Sequence, residues 1–121
     1  MSEHNPMFVE VDSLNTAKKE IKKIGCDSKS INIMAPKSIS KIIKLRDILL
    51  QDAVIIKQDV LSIGGEAAIP KDAYKLMEKK ADILIIGTIK QLNELVEKLN
   101  RHYPRLKRIS NELLAILKTI K

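Results

Sequence analysis

Two pairs of residues in this sequence have the chemistry to hold an anion. Lys37-Ser38 follows the apolar run Ile31–Ala35, and Gly87-Thr88 follows Ile83–Ile86. Each pair combines backbone N–H groups with a hydroxyl, and the first adds an ammonium. At the carboxyl ends of parallel strands, where α/β proteins bind ligands, Lys37, Ser38, Gly87 and Thr88 would form a site for a small phosphorylated ligand. Ser38 and Thr88 are also the residue types that cap helices, and capping is the preferred role.

A third stretch, Leu61-Ser-Ile-Gly-Gly-Glu-Ala-Ala-Ile-Pro70, places two of the four glycines side by side. Phosphate-gripping glycines follow a strand and open a helix. Here the order is reversed, with a helical stripe before Gly64-Gly65 and a short strand pattern after them. The pair is therefore expected to end a helix at the amino end of the sheet, away from any ligand. No Walker A or GxGxxG pattern is present. Cys26 is the sole cysteine, and only His4 and His102 are available to partner it. That excludes an internal disulfide and argues against a zinc centre or a Cys-His nucleophile. Carboxylates are scattered singly, so no catalytic residue, metal or cofactor is assigned.

The charge is uneven. The chain carries a net +7, and from Ile89 onward eight Lys/Arg face three Asp/Glu. Lys98, Arg101, Arg105, Lys107 and Arg108 gather around Pro104, which makes a small nucleic-acid-binding protein an alternative reading. Tyr103 is the one aromatic nearby on which a base could stack. A lysine-rich solvated face is the simpler account and is preferred.

These residues need a scaffold, and 121 residues with 45% hydrophobic and 31% charged composition suit a single α/β domain over 1–121, with 1–6 disordered. Phe8, Tyr74 and Tyr103 are the only aromatics, so the core must be aliphatic. Met7, Val9 and Val11 alternate as in a strand. Leu14, Ala17, Ile21 and Ile24 then follow at helical spacing up to Gly25. Ile31–Ala35 reads as a second strand, and Ser38 opens a helix through Ile39, Ile42 and Ile43. The periodicity blurs over Arg46–Gln51, then resumes in a helix through Ala53, Ile56, Val60 and Ile63.

Glu66–Ile69 is a weak strand, and Asp72 caps a helix bearing Ala73, Leu76 and Met77. Ile83–Ile86 is an apolar run suited to a strand covered on both faces. Thr88-Ile-Lys-Gln91 matches a capping box and starts a helix with Ile89, Leu92, Leu95, Val96 and Leu99 inward. Pro104 opens a last helix through Leu106, Ile109, Leu113, Leu117 and Ile120. Strands alternating with helices predict about four mainly parallel strands, helices on both faces in three layers, and an extra C-terminal helix.

Three segments carry a resemblance: INIMAPKS (Ile31–Ser38), IIKQDVLSIGGEAAIP (Ile55–Pro70) and ADILIIGTIKQLNELVEKL (Ala81–Leu99). Together they resemble the N-terminal extension of long-form dihydropteroate synthases, which precedes a pterin-binding TIM barrel. The Met-Ala-Pro-Lys stretch is matched at Met34–Lys37, the Lys-Gln-acid-x-Leu-Ser-x-Gly-Gly-x-Ala-Ala run at Lys57–Ala68, and the Gly-Thr element at Gly87–Gln91. The barrel's own Asn-x-Thr-Pro-Asp-Ser-Phe and Ser-Thr-Arg-Pro-Gly segments are absent, so the resemblance carries over no catalytic residue. His102–Arg105 departs from the Gln-Pro-Phe-Gly-like turn of that family.

The resemblance implies an accessory domain that docks on or regulates a separate pterin-binding barrel in folate or methanopterin biosynthesis, without catalysis of its own. A TIM-barrel protein or a second copy of this chain are the partners it suggests, and nucleic acid ranks behind them. No apolar run approaches the ~20 residues of a membrane span, and MSEHNPMF lacks a signal-peptide core, so no membrane partner and a cytoplasmic location are expected.

Overall fold

The computed structural model describes residues 3–121, and the expectation of disorder over 1–6 lies partly outside them. In chain order the elements are α1 (Leu14–Lys22), α2 (Ser28–Met34), a 3-10 turn (Ala35–Lys37), β1 (Ser40–Leu49), α3 (Leu50–Ser62), β2 (Glu66–Ala68), β3 (Lys80–Thr88), α4 (Ile89–Leu99) and α5 (Pro104–Leu117). The three strands form one sheet in the order β1-β3-β2, and both outer strands run antiparallel to β3. This overturns the expected four-stranded, mainly parallel sheet with helices on both faces. The β1–α3–β2 unit is still a crossover between parallel strands, but β3 is inserted between them in the opposite sense.

The amino-terminal third accounts for most of the difference. Residues 5–12 belong to no helix or strand, so the Met7–Val11 strand is not formed. Ile31–Met34 lies in α2, where Asp27 caps Lys29 N–H, and Ala35 opens the 3-10 turn, so the expected second strand is not formed. Ser38 does not cap a helix. Its hydroxyl donates back to the Ala35 carbonyl at 2.7 Å, and the chain enters β1 two residues later. Along β1 the buried residues are Ile43, Leu45 and Ile48, a strand periodicity broken by one bulge. The residues after Asp72 form turns instead of a helix, with Ala73 alone buried.

The two C-terminal helices follow their sequence signals. Thr88 caps α4 in a reciprocal box with Gln91, and all five expected inward residues of α4 are buried. Pro104 starts α5, whose Leu106, Ile109, Leu113 and Leu117 are buried. These helices and α3 cover one face of the sheet, meeting Ile43, Leu45, Ile83, Ile85 and Ala67 in the main core. A smaller cluster joins Ala17, Ala35, Ile39 and Ile89, packing the N-terminal helices against the start of α4. The Leu14 N–H reaches the Lys121 carbonyl at 2.9 Å, tying α1 to the C-terminal residue.

Among the described residues no helix covers the other face of the sheet. Ile42 is 66% exposed and Leu84 36%, with Ile86 partly so. Ile42 pairs directly with Ile86, and Leu84 with Ala68 across the neighbouring strand. The run Ile83–Ile86 is thus covered on one face only, correcting the expectation of two. A solvated sheet face ordinarily alternates to polar residues; this one presents aliphatic side chains in a row.

Candidate functional site

The residues expected to grip an anion lie at one end of the sheet, but through an antiparallel pairing. Ser40 sits opposite Thr88 and Lys41 opposite Gly87, so Lys37-Ser38 approaches the amino end of β1 beside the carboxyl end of β3. Their polar groups are engaged within the chain. Thr88 N–H donates to Gln91 Oε1 at 2.9 Å, and Thr88 Oγ1 accepts from Gln91 N–H at 3.1 Å. Ser38 N–H and hydroxyl both serve the Ala35 carbonyl. Lys37 is exposed.

Gly64 and Gly65 end α3 as its sequence signalled. Gly64 has φ +89, and its N–H and that of Gly65 return to the Leu61 and Val60 carbonyls. They do not lie at a remote amino rim, however. A Cβ on Gly65 would stand 2.9 Å from the Ile86 carbonyl and 2.7 Å from Val60 Cγ2, and one on Gly64 would stand 3.0 Å from the Gln91 side chain. The glycines therefore let the α3–β2 corner close onto the end of β3 and the cap of α4. Gly64-Gly65 and Gly87–Gln91 form one packed junction.

Elsewhere the chain holds a polar cluster that the spacing of residues did not signal. Asp52, in the first turn of α3, is 2% exposed. Its carboxylate accepts from Arg105 Nε at 2.8 Å and Nη2 at 3.1 Å, and from the Tyr103 hydroxyl. The Arg105 guanidinium also lies 4.9 Å from the Tyr103 ring centre, a cation–π geometry. Burial pushes the Asp52 carboxyl up, but the hydrogen bonds from Arg105 and Tyr103 and the Arg105 charge outweigh it and hold it below the usual range. Burial, then the facing carboxylate, raises the Tyr103 phenol. The hydrogen bond to Asp52 leads the causes that raise Arg105, which stays a cation. His102 adds a second tie from the same turn to α3, with Nε2 2.9 Å from Asp59 Oδ2.

Beside this cluster a cleft of about 250 Å³ opens between β1, the start of β3 and α5. Its charged lining is Arg46, Asp47, Asp52, Lys80, Arg105, Arg108 and Glu112. The wall contributed by β1 is a bulge: Leu45 pairs with Ile83 and Ile48 with Ala81, so Arg46 and Asp47 together face Asp82 alone. Asp47 adopts φ +53, and its N–H donates to Asp82 Oδ1 at 3.2 Å. A left-handed aspartate is uncommon, and bulges often re-aim a side chain.

The basic residues of the nucleic-acid reading are divided by this arrangement. Arg105 is bound to Asp52, Arg108 faces the cleft, and Lys98 lies in the last turn of α4. Arg101 and Lys107 are exposed. Cys26 is half-buried with its thiol 3.8 Å from the Ile21 carbonyl, and among the described residues no cluster suited to a metal ion occurs. No helix among them is long and apolar enough to cross a membrane.

Comparison with known proteins gives one informative similarity. The chain is 30% identical over 115 residues to the bifunctional dihydropteroate synthase/dihydropteroate reductase of Helicobacter pylori. The match takes in 95% of this chain and 30% of the relative's length. No protein-family profile matches the sequence, and no solved structure matches it. The resemblance to dihydropteroate synthases drawn from the sequence is met at that level.

Proposed function

We propose that this domain is an accessory module for a pterin-binding barrel of dihydropteroate synthase type, and that it docks through the bare face of its sheet. The observation that carries this reading is the aliphatic row Ile42, Ile86 and Leu84 on a face that no helix covers among the described residues. Its surroundings suit an interface, with an apolar centre and a rim that includes the Lys44–Asp82 pair at 3.8 Å. The similarity to the Helicobacter enzyme supports the choice of partner, because most of that relative lies outside the matched stretch and would be available to cover the face. Through that relative the reading places the domain in folate biosynthesis. The domain supplies packing surface and the barrel supplies the chemistry.

The β2 edge is not the docking element. Lys57 Nζ reaches the Ala67 carbonyl at 2.7 Å and Glu66 at 3.2 Å, which blocks strand addition there. Sedimentation of the domain mixed with a recombinant dihydropteroate synthase barrel tests the reading. A defined complex of the two is expected; a domain that remains free, or that associates only with itself, contradicts it.

A further inference from the structure

We propose that the cleft between the β1 bulge and α5 binds a small phosphate ester that carries hydroxyl or amino groups. The inference does not depend on docking, since it uses none of Ile42, Leu84 or Ile86. Three cations line the cleft without an ion-pair partner among the described residues: Arg46, Lys80 and Arg108. A fourth, Arg105, is fixed in place. Two of its N–H groups are bound to the buried Asp52 carboxylate, and the remaining donors of its fork are left for a ligand. Holding the guanidinium by a buried carboxylate and an aromatic ring removes much of the entropy that an arginine ordinarily loses on binding an anion.

The bulge supplies the second observation. The extra residue of the bulge places Arg46 and Asp47 side by side in the lining of the cleft, with a left-handed backbone at Asp47. The ligand class follows from the remaining lining. Among the described residues Asp47 and Glu112 have no cationic partner within ion-pair distance, and they stand beside the three cations. They would repel a continuous polyanion, which weighs against a nucleic-acid strand. They would accept hydrogen bonds from hydroxyl or amino groups next to one phosphate. At about 250 Å³ the cleft is smaller than the usual site for a drug-sized ligand, which limits it to a small molecule.

The test is a backbone amide NMR titration of the whole chain at constant ionic strength, with glucose 6-phosphate, inorganic phosphate and a single-stranded oligonucleotide as probes. Glucose 6-phosphate should give saturable shifts confined to residues 45–52, the start of β3 around Lys80, and 104–112, and should bind more tightly than inorganic phosphate. Arg108→Glu and Arg46→Glu, both at exposed positions, should each weaken it at least about tenfold, whereas Lys98→Glu should leave it unchanged. Glu112→Gln should narrow the preference for the sugar phosphate over inorganic phosphate. The proposal is overturned by shifts spread over the lysine-rich surface, by affinity indifferent to Arg108→Glu, by equal binding of the two phosphates, or by an oligonucleotide that binds the same amides more tightly.

Discussion

Asp52 and Arg105 stand 53 residues apart in the chain, yet the guanidinium of one closes a two-point hydrogen bond on the carboxylate of the other, 2.8 and 3.1 Å across. This contact locks the first turn of α5 to the first turn of α3. It also fixes one wall of the cleft. A carboxylate so deeply buried is stable only while its donors remain, because an uncompensated charge in that position carries the full desolvation cost.

Replacing Asp52 should therefore destabilise the fold. Asp52→Ala is expected to cost about 2–3 kcal/mol, and Tyr103→Phe about 1 kcal/mol, through loss of charge-assisted and ordinary hydrogen bonds. Arg105→Lys should not restore wild-type stability, since an ammonium lacks the planar fork that both oxygens require. Urea unfolding midpoints of the three variants measure these differences.

The same carboxylate sets an acid limit. Its folded-state pKa lies below the unfolded value, so the ionised form is favoured by folding. The stability this gives is complete above the ordinary carboxylate range near pH 4 and is lost as pH falls through the lower folded value. Glu66 is shifted down as well, first by the Ala67 N–H and then by Lys57, and acts in the same direction. Unfolding curves from about pH 6 to pH 2 should show wild type and Asp52→Asn far apart at the upper end. They should converge at the lower end, and a constant gap would refute the assignment.

At the packed junction the two glycines should respond differently to alanine. Gly64→Ala meets a left-handed φ of +89 and should cost about 1–2 kcal/mol. Gly65→Ala would push a methyl within 2.9 Å of the Ile86 carbonyl, and β3 would have to move. Its cost should be at the upper end of the overpacking range, about 3 kcal/mol. Thermal unfolding followed by circular dichroism resolves these effects.

Legibility of the fold divided along physical lines. Helices α4 and α5 were readable because each carries a clean apolar stripe and a start signal, the Thr88–Gln91 box in one and Pro104 in the other. The β1 segment carries a helix-like pattern because Ile42 and Ile43 are both apolar, one facing water and one the core. An outward aliphatic residue erases the alternation by which a strand is recognised. The same property that hid β1 marks the proposed docking face. Arg46–Gln51, where periodicity blurs, coincides with the bulge and the turn into α3. Asp52 gave no signal, since a lone aspartate in the first turn of a helix is ordinary and its partners arrive only with the tertiary fold. Of the expected anion site, the sequence placed Thr88 correctly as a cap, and the antiparallel sheet then brought Gly64-Gly65 to it.

The central claim is that the bare sheet face is covered by a partner barrel, and titration calorimetry tests it most directly. Ile42→Asp and Ile42→Lys alter a well-exposed position, and variants of this kind usually change stability by no more than about 0.5 kcal/mol. Each should weaken binding of a recombinant dihydropteroate synthase barrel at least about tenfold, as expected where a charge enters an apolar interface centre, with the melting temperature unchanged. Wild-type affinity retained in both variants would contradict the account.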